Sequence, residues 1–196
     1  MNVGNGLSLE LGEYRKQVNT RLKIMQDQNF GKRLWNKEEG LWLKNNIQSE
    51  TPALFMGWLN VVEKMINNLP VVEEFCSSVK RLGITDVVLL GMGGSSMSPL
   101  VFQKTFLSAD GLKLNVLDST DPCTVRKIEK ETDLEKTLFI VSSKSGSTAE
   151  VMAFYTYFYS KIYKIKGESA GENFIAITDE DSPLAELSRE KKLMPQ

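Results

Sequence analysis

The sequence predicts an α/β protein, a doubly wound parallel sheet of four to five strands flanked by helices and preceded by an N-terminal helical extension. Two observations predict it. From residue 86 onward, short runs rich in Val, Ile and Leu alternate with longer stretches of helical periodicity. Polar loops rich in glycine and serine directly follow two of these runs. Because parallel strands need crossover connections, this alternation favours a parallel sheet.

The individual elements follow from periodicity and from capping residues. Strands are predicted at 86–90, 113–117, 137–142 and 173–177, and helices at 98–108, 122–131, 148–165 and from residue 183. Three of the helix starts pair a capping residue with proline, at Ser98-Pro99, Asp121-Pro122 and Ser182-Pro183. The run Ser147-Thr148-Ala149-Glu150 has the pattern of a capping box, with Ser147 as the N-cap.

The first part of the chain is predicted to be helical, with a helix over 7–29, another opened by Thr51-Pro52, and a third from about residue 71 to 82. We divide the chain into an extension, 1–69, and an α/β domain, 70–196. A helix from Pro183 should deliver a fifth strand, but the sequence stops at Gln196. We therefore expect a piece of a longer protein, cut before the last strand, although four strands can suffice.

Composition excludes several classes of function. The net charge is −1, so nothing favours binding to nucleic acid or to a membrane surface. Cys76 and Cys123 form no CxxC pattern, so a disulfide framework or a zinc site is disfavoured. We expect no metal and no cofactor. The N-terminus lacks the apolar segment of a secretory signal, and a cytoplasmic protein is expected. Since the chain has no histidine, an imidazole acid or base cannot come from it.

The two polar loops carry the chemistry. Gly91–Ser96 follows the first predicted strand, and Ser142–Thr148 follows the third. Loops at the carboxyl ends of parallel strands meet at one edge of the sheet, where α/β proteins bind ligands. Their backbone N–H groups, their hydroxyls and the Lys144 ammonium suit an anion, and above all a phosphate. A tight turn requiring glycine is the alternative for the first loop, and a plain capping box for the end of the second.

Known nucleotide motifs do not fit either loop. The first loop has Ser96 where the dinucleotide fingerprint requires its third glycine, and the acidic residue expected about twenty positions later is missing. The second loop has no Walker pattern. A nucleotide-binding oxidoreductase is therefore disfavoured, and a monophosphate on a small molecule fits better.

Both loops resemble known stretches of the phosphoglucose isomerase family. Gly91-Met92-Gly93-Gly94-Ser95-Ser96, followed by Pro99, is similar to one, and Ser143-Lys144-Ser145-Gly146-Ser147-Thr148-Ala149-Glu150 to the other. Arg33-Leu34-Trp35 and Gly40-Leu41-Trp42 resemble the isomerase half of bifunctional transaldolase/phosphoglucose isomerase proteins. The resemblance implies a SIS (sugar isomerase) domain and the interconversion of glucose 6-phosphate and fructose 6-phosphate in glycolysis and gluconeogenesis.

The resemblance also implies the site residues. Contacts to the sugar phosphate carry over onto Gly94, Ser95, Ser143, Lys144, Ser145 and Thr148, with Ser147 as a further candidate. The catalytic glutamate, histidine, lysine and arginine of the family lie in a second SIS domain and a C-terminal segment. We therefore expect no catalytic residue in this chain, and expect a second SIS domain, in the same or another chain, and a homo-oligomer as partners. The alternative is a stand-alone SIS module that binds or senses a phosphosugar without turnover.

Overall fold

The computed structural model describes residues 2–3, 7–41, 52–106 and 112–194. The chain forms two compact units, Met1–Val72 and Glu73–Gln196. The functional division at residues 69 and 70 stays a prediction. Among the described residues, none of the helices combines the length and the apolar character needed to cross a membrane.

The first unit is built from short elements. Strand β1 (Asn2–Val3) pairs antiparallel with β2 (Leu7–Ser8). A 3-10 turn, Gly12–Tyr14, leads into α1 (Arg15–Asp27), followed by α2 (Phe30–Trp35) and by the 3-10 segments Glu39–Leu41 and Pro52–Asn60. The helix predicted over 7–29 is thus confirmed only in its central part, because Gly12 turns the chain at a positive φ of 50° before the helix begins. Thr51 and Trp42 lie outside the described residues.

One long helix replaces the two helices predicted around residue 70. Helix α3 (Val61–Arg81) continues through Pro70, and the boundary between the two units falls within it. The prediction of a break here was wrong. Proline has a φ compatible with a helix and removes one N–H, so a 21-residue helix can continue through it at an energetic cost.

The second unit contains the predicted parallel sheet. Its strands are β3 (Asp86–Gly91), β4 (Lys113–Leu117), β5 (Thr137–Ser142) and β6 (Phe174–Ile177), in the order β4-β3-β5-β6. All neighbouring pairs are parallel. Helices α4 (Gly94–Thr105), α5 (Pro122–Glu131), α6 (Ala149–Lys166) and α7 (Pro183–Glu190) follow the strands. The four predicted strands are confirmed, and the α/β fold with them.

The sheet is covered on both faces because alternate residues of each strand point in opposite directions. On one face, Phe139 stacks between Phe158 of α6 and Phe174, with ring centroids 4.8 and 4.9 Å apart. On the other face, Leu138 and Ile175 pack with Val79 of α3. Of the aromatic residues of α6, Phe154, Tyr155 and Phe158 therefore lie in the core. Tyr157 and Tyr159 are half-buried against it, and Tyr163 is 46% exposed.

Two of the three predicted proline-marked helix starts are confirmed. The Asp121 side chain accepts a hydrogen bond from the Thr124 N–H, and that of Ser182 accepts one from the Ala185 N–H. The third prediction was wrong, because α4 begins at Gly94 and contains Pro99. The reason lies in Gly93, whose positive φ of 57° lets the chain turn into a helix immediately after β3.

Candidate anion-binding site

The two glycine- and serine-rich loops lie side by side. They follow β3 and β5, which are adjacent and paired up to Gly91 and Ser142. From β3 the chain crosses through α4 to β4 on one side, and from β5 it crosses through α6 to β6 on the other. The connections therefore diverge between these two strands, and this divergence is where open α/β sheets form a ligand crevice at their carboxyl edge.

The first loop presents Gly94 and Ser95 at this edge. The Ser95 N–H donates to the Met92 carbonyl at 3.2 Å, and the Ser96 N–H donates to the Gly93 carbonyl at 3.2 Å. The Ser96 hydroxyl also donates to Gly93, and this side chain is buried, so Ser96 stabilises the turn. Gly94 is exposed and opens α4, and the first N–H groups of a helix have no carbonyl partner within it.

The second loop is built over a buried serine. The side chain of Ser143 is 2% exposed, and its hydroxyl lies 3.0 Å from that of Thr148. The Gly146 N–H donates to the Ser143 carbonyl and closes the turn. Ser145 and Ser147 are exposed, and the Ser147 hydroxyl donates to that of Ser145 at 3.2 Å. Ser143 thus lies beneath the loop and orients Thr148, while Ser145 and Ser147 face the solvent.

The start of α6 differs from the predicted capping box. Its N-cap is Thr148 rather than Ser147, and the Thr148 side chain makes no capping hydrogen bond. The hydroxyl contact with Ser143 explains the difference, since it holds the Thr148 oxygen in the loop. Glu150 is exposed in the first turn. The N-terminus of this 18-residue helix therefore combines a partial positive charge with N–H groups that no side chain caps.

A third loop, 178–182, supports the second one and was not predicted from the sequence. It extends the pairing of β5 and β6, because the Ser143 N–H donates to the Ile177 carbonyl and the Asp179 N–H to the Lys144 carbonyl, at 3.1 and 3.2 Å. Gly146 has a φ of 65°, and its Cα faces Ser182 so closely that a Cβ would lie 2.6 Å from the Ser182 hydroxyl. The available signal was Ser182-Pro183, a third strand–loop–helix junction that we interpreted only as a helix cap.

Opposite charges meet between these two loops. The Lys144 ammonium lies 3.7 Å from the Asp179 carboxylate, and their side chains are 70% and 64% exposed. The exposed hydroxyls of Ser145 and Ser147 and the N-terminus of α6 follow Lys144 in the same loop, and α4 begins at the same edge of the sheet. This arrangement can bind an oxyanion. Within the described residues, no cluster of three or more His, Cys, Asp or Glu could hold a metal ion.

A separate groove of about 340 Å³ lies between α5 and α6. Its lining includes Thr120, Arg126 and Tyr157, is mainly apolar, and contains none of the seven predicted site residues. The groove is therefore separate from the site that the two loops form at the open edge of the sheet.

Comparison with known proteins identifies the family. The model of the phosphoglucose isomerase family matches residues 48–194, which include both loops. The chain belongs to this family. It is 33% identical over 113 residues to a glucose-6-phosphate isomerase of Chlamydia trachomatis, covering 57% of this chain and 21% of that protein. It is 28% identical over 148 residues to that of Thermus thermophilus, covering 72% and 34%.

A solved structure agrees with this assignment. The crystal structure of a glucose-6-phosphate isomerase from Chlamydia trachomatis matches 80% of this chain and 29% of that one, with a TM-score of 0.57 and 25% identity. The chain spans about a fifth to a third of the length of the curated relatives it matches.

Proposed function

We propose that this chain is the N-terminal sugar-phosphate-binding part of a glucose-6-phosphate isomerase. The observation that carries the proposal is the placement of the two family loops on neighbouring strands, with the uncapped N-terminus of α6 between a lysine and several hydroxyls. The phosphate of glucose 6-phosphate or fructose 6-phosphate binds here. Its contacts come from Gly94, Ser95, Lys144, Ser145, Ser147 and Thr148, and Ser143 acts by holding Thr148 in place.

The contribution of this site to catalysis is orientation. Conversion of an aldose to a ketose moves a proton between two carbons through an enediol, which needs a positioned base and acid. Glu150 is a carboxylate in the loop region, but it is exposed in the first turn of α6 and has no positioned partner among the described residues. Binding the remote phosphate fixes the reacting carbons relative to groups supplied from elsewhere.

The base and acid come from a second SIS domain, in the same or another chain, within a homo-oligomer in the cytoplasm. The exposure of Ser145 and Ser147 supports this part of the proposal, because an oxyanion bound at an open edge stays in contact with water until another surface covers it. A transaldolase domain fused upstream belongs to the same proposal.

Calorimetric titration of the 196-residue chain with fructose 6-phosphate, and with fructose as the uncharged comparison, tests the binding step. We expect saturable binding of the phosphate ester alone. The double variant Ser145→Ala/Ser147→Ala should weaken it, with a loss of about 1.5–3 kcal/mol for each charge-assisted hydrogen bond removed. Ser160→Ala is the matched control, since this exposed hydroxyl on α6 lies far from the loops in sequence and bonds the Tyr157 carbonyl. Equal affinity of the double variant and the control would refute the assignment.

A coupled isomerase assay tests whether this chain only binds the phosphate while a second SIS domain supplies the catalytic base and acid. We expect no turnover by the purified chain above background, and partial recovery when a second SIS domain with its C-terminal segment is added. Turnover by the chain alone that is abolished in Glu150→Gln would place the catalytic base here instead. Tight binding of a phosphosugar with no recovery on adding the second domain would favour the alternative, a stand-alone module that binds or senses a phosphosugar.

A further inference from the structure

The 178–182 loop is hydrogen-bonded to the backbone of the proposed phosphate loop at Lys144. The Lys144 carbonyl accepts from the Asp179 N–H at 3.2 Å and from the Thr178 hydroxyl at 3.4 Å. These hydrogen bonds hold the backbones of residues 144 and 179 next to each other, so their side chains begin from neighbouring positions. The ammonium and the carboxylate then meet at 3.7 Å.

In this ion pair, another anion can replace the Asp179 carboxylate as the partner of the Lys144 ammonium. Its side chains are 70% and 64% exposed, and its separation is close to the upper limit of a salt bridge. Exposed pairs of this kind contribute about 0.2–1 kcal/mol, so a stronger anion can take the cation at little cost. A phosphate ester carries more charge than a carboxylate and offers three acceptor oxygens.

We propose that Asp179 acts on the anion site through Lys144, because its carboxylate pairs with the Lys144 ammonium in the ligand-free chain and competes with the ligand phosphate for it. The competition lowers the affinity for phosphate esters and speeds their release. The inference rests on the proposed function in one respect, which is that the loop binds phosphate.

The substitution Asp179→Asn isolates the charge. The amide has nearly the shape of the carboxylate, and the backbone hydrogen bond to the Lys144 carbonyl does not depend on the side chain. Glu180→Gln is the matched control, because it removes the same charge from the neighbouring exposed position. Lys144→Met removes the ammonium for which the Asp179 carboxylate and the ligand phosphate would compete.

The experiment is an NMR titration of the 196-residue chain with fructose 6-phosphate at fixed ionic strength, for wild type, both single variants, Lys144→Met and Lys144→Met/Asp179→Asn. Asp179→Asn should lower the dissociation constant by a factor of about 1.4 to 5, the range that corresponds to losing one exposed ion pair. Glu180→Gln should leave it near the wild-type value. In the Lys144→Met background, Asp179→Asn should change the dissociation constant clearly less, which is the coupling that a purely structural role would not produce.

Three results would overturn the inference while leaving the binding site intact. They are equal affinities of Asp179→Asn and Glu180→Gln, weaker binding by Asp179→Asn, or the same gain with and without Lys144. A wild-type chain that does not bind fructose 6-phosphate at all would overturn the proposed function, and the inference with it. Urea unfolding of each variant checks that the loop remains folded.

Discussion

Replacing Gly146 by alanine tests how the second loop is held in place. This residue has a φ of 65°, and an added Cβ would lie 2.6 Å from the Ser182 hydroxyl oxygen, 2.7 Å from the Ser182 Cβ and 2.8 Å from the Leu184 backbone nitrogen. The contacts cannot be relieved by rotating one side chain, because the Leu184 nitrogen belongs to the first turn of α7. We expect Gly146→Ala to destabilise the chain and to displace the loop.

The magnitude has two parts. A left-handed conformation costs a residue with a Cβ about 1–2 kcal/mol. Overpacking against backbone that cannot move freely costs about 1–3 kcal/mol more. Gly83→Ala is the matched control, since Gly83 has a φ of 73° but no atom within 4 Å of its added Cβ. The control should show the conformational part alone, and the difference between the variants should show the contact with α7.

Urea unfolding, followed by circular dichroism, measures both free energies of unfolding. We expect the free energy of unfolding to fall by about 2–5 kcal/mol in Gly146→Ala and by about 1–2 kcal/mol in Gly83→Ala. Adding Ser182→Gly should recover part of the loss, because it removes two of the three close contacts. Equal stability of Gly146→Ala and Gly83→Ala would mean that the loop does not pack closely against the start of α7 at Gly146.

Three further predictions concern the second unit. Phe158→Ala removes a fully buried ring and should lower the free energy of unfolding by about 3–5 kcal/mol in the same urea assay, whereas an unchanged midpoint would mean that this ring is not in the core. The hydrogen bond from Tyr157 to Glu129 raises the pKa of the Tyr157 phenol above 10.0, so Glu129→Gln should lower the alkaline midpoint of tyrosinate absorbance, and an unmoved titration curve would contradict the contact. The Thr124 N–H holds the pKa of Asp121 below 3.8, so the stabilisation it gives is present above pH 3.8 and is lost as the pH falls through the folded-state pKa. The melting temperature of Asp121→Ala should therefore be lower than that of wild type at neutral pH and should converge with it in acid. A difference in melting temperature that does not change with pH would refute this.

The sequence was most informative where a local signal coincides with a tertiary one. The strands were found because their apolar runs are short, β-branched or leucine-rich, and bounded by polar loops. The starts of α5 and α7 were found because Asp121 and Ser182 cap their own helices, which requires contacts within three residues. The rule that parallel strands end at one edge predicted that the two loops share an edge, and the direct pairing of β3 with β5 is seen only in the structure.

The errors arose where a residue outside the short motif decides the local structure. Ser147 fits a capping box, but the buried Ser143 hydroxyl engages Thr148 and shifts the N-cap by one residue. Ser98-Pro99 fits a helix start, but the glycine turn at residue 93 begins the helix earlier. The ion pair between Lys144 and Asp179 could not be predicted from the sequence, because it depends on the register of β6 against β5.

The most direct test of the central claim is an NMR map of the fructose 6-phosphate site on the isotopically labelled chain. We expect saturable shifts of the amides that open α4 and α6, from Gly94, Ser95 and the 145–151 segment, and no such shifts with fructose. Shifts confined to the groove between α5 and α6, at Val125, Ala153 and Tyr157, would contradict it. So would the absence of any saturable change at millimolar ligand.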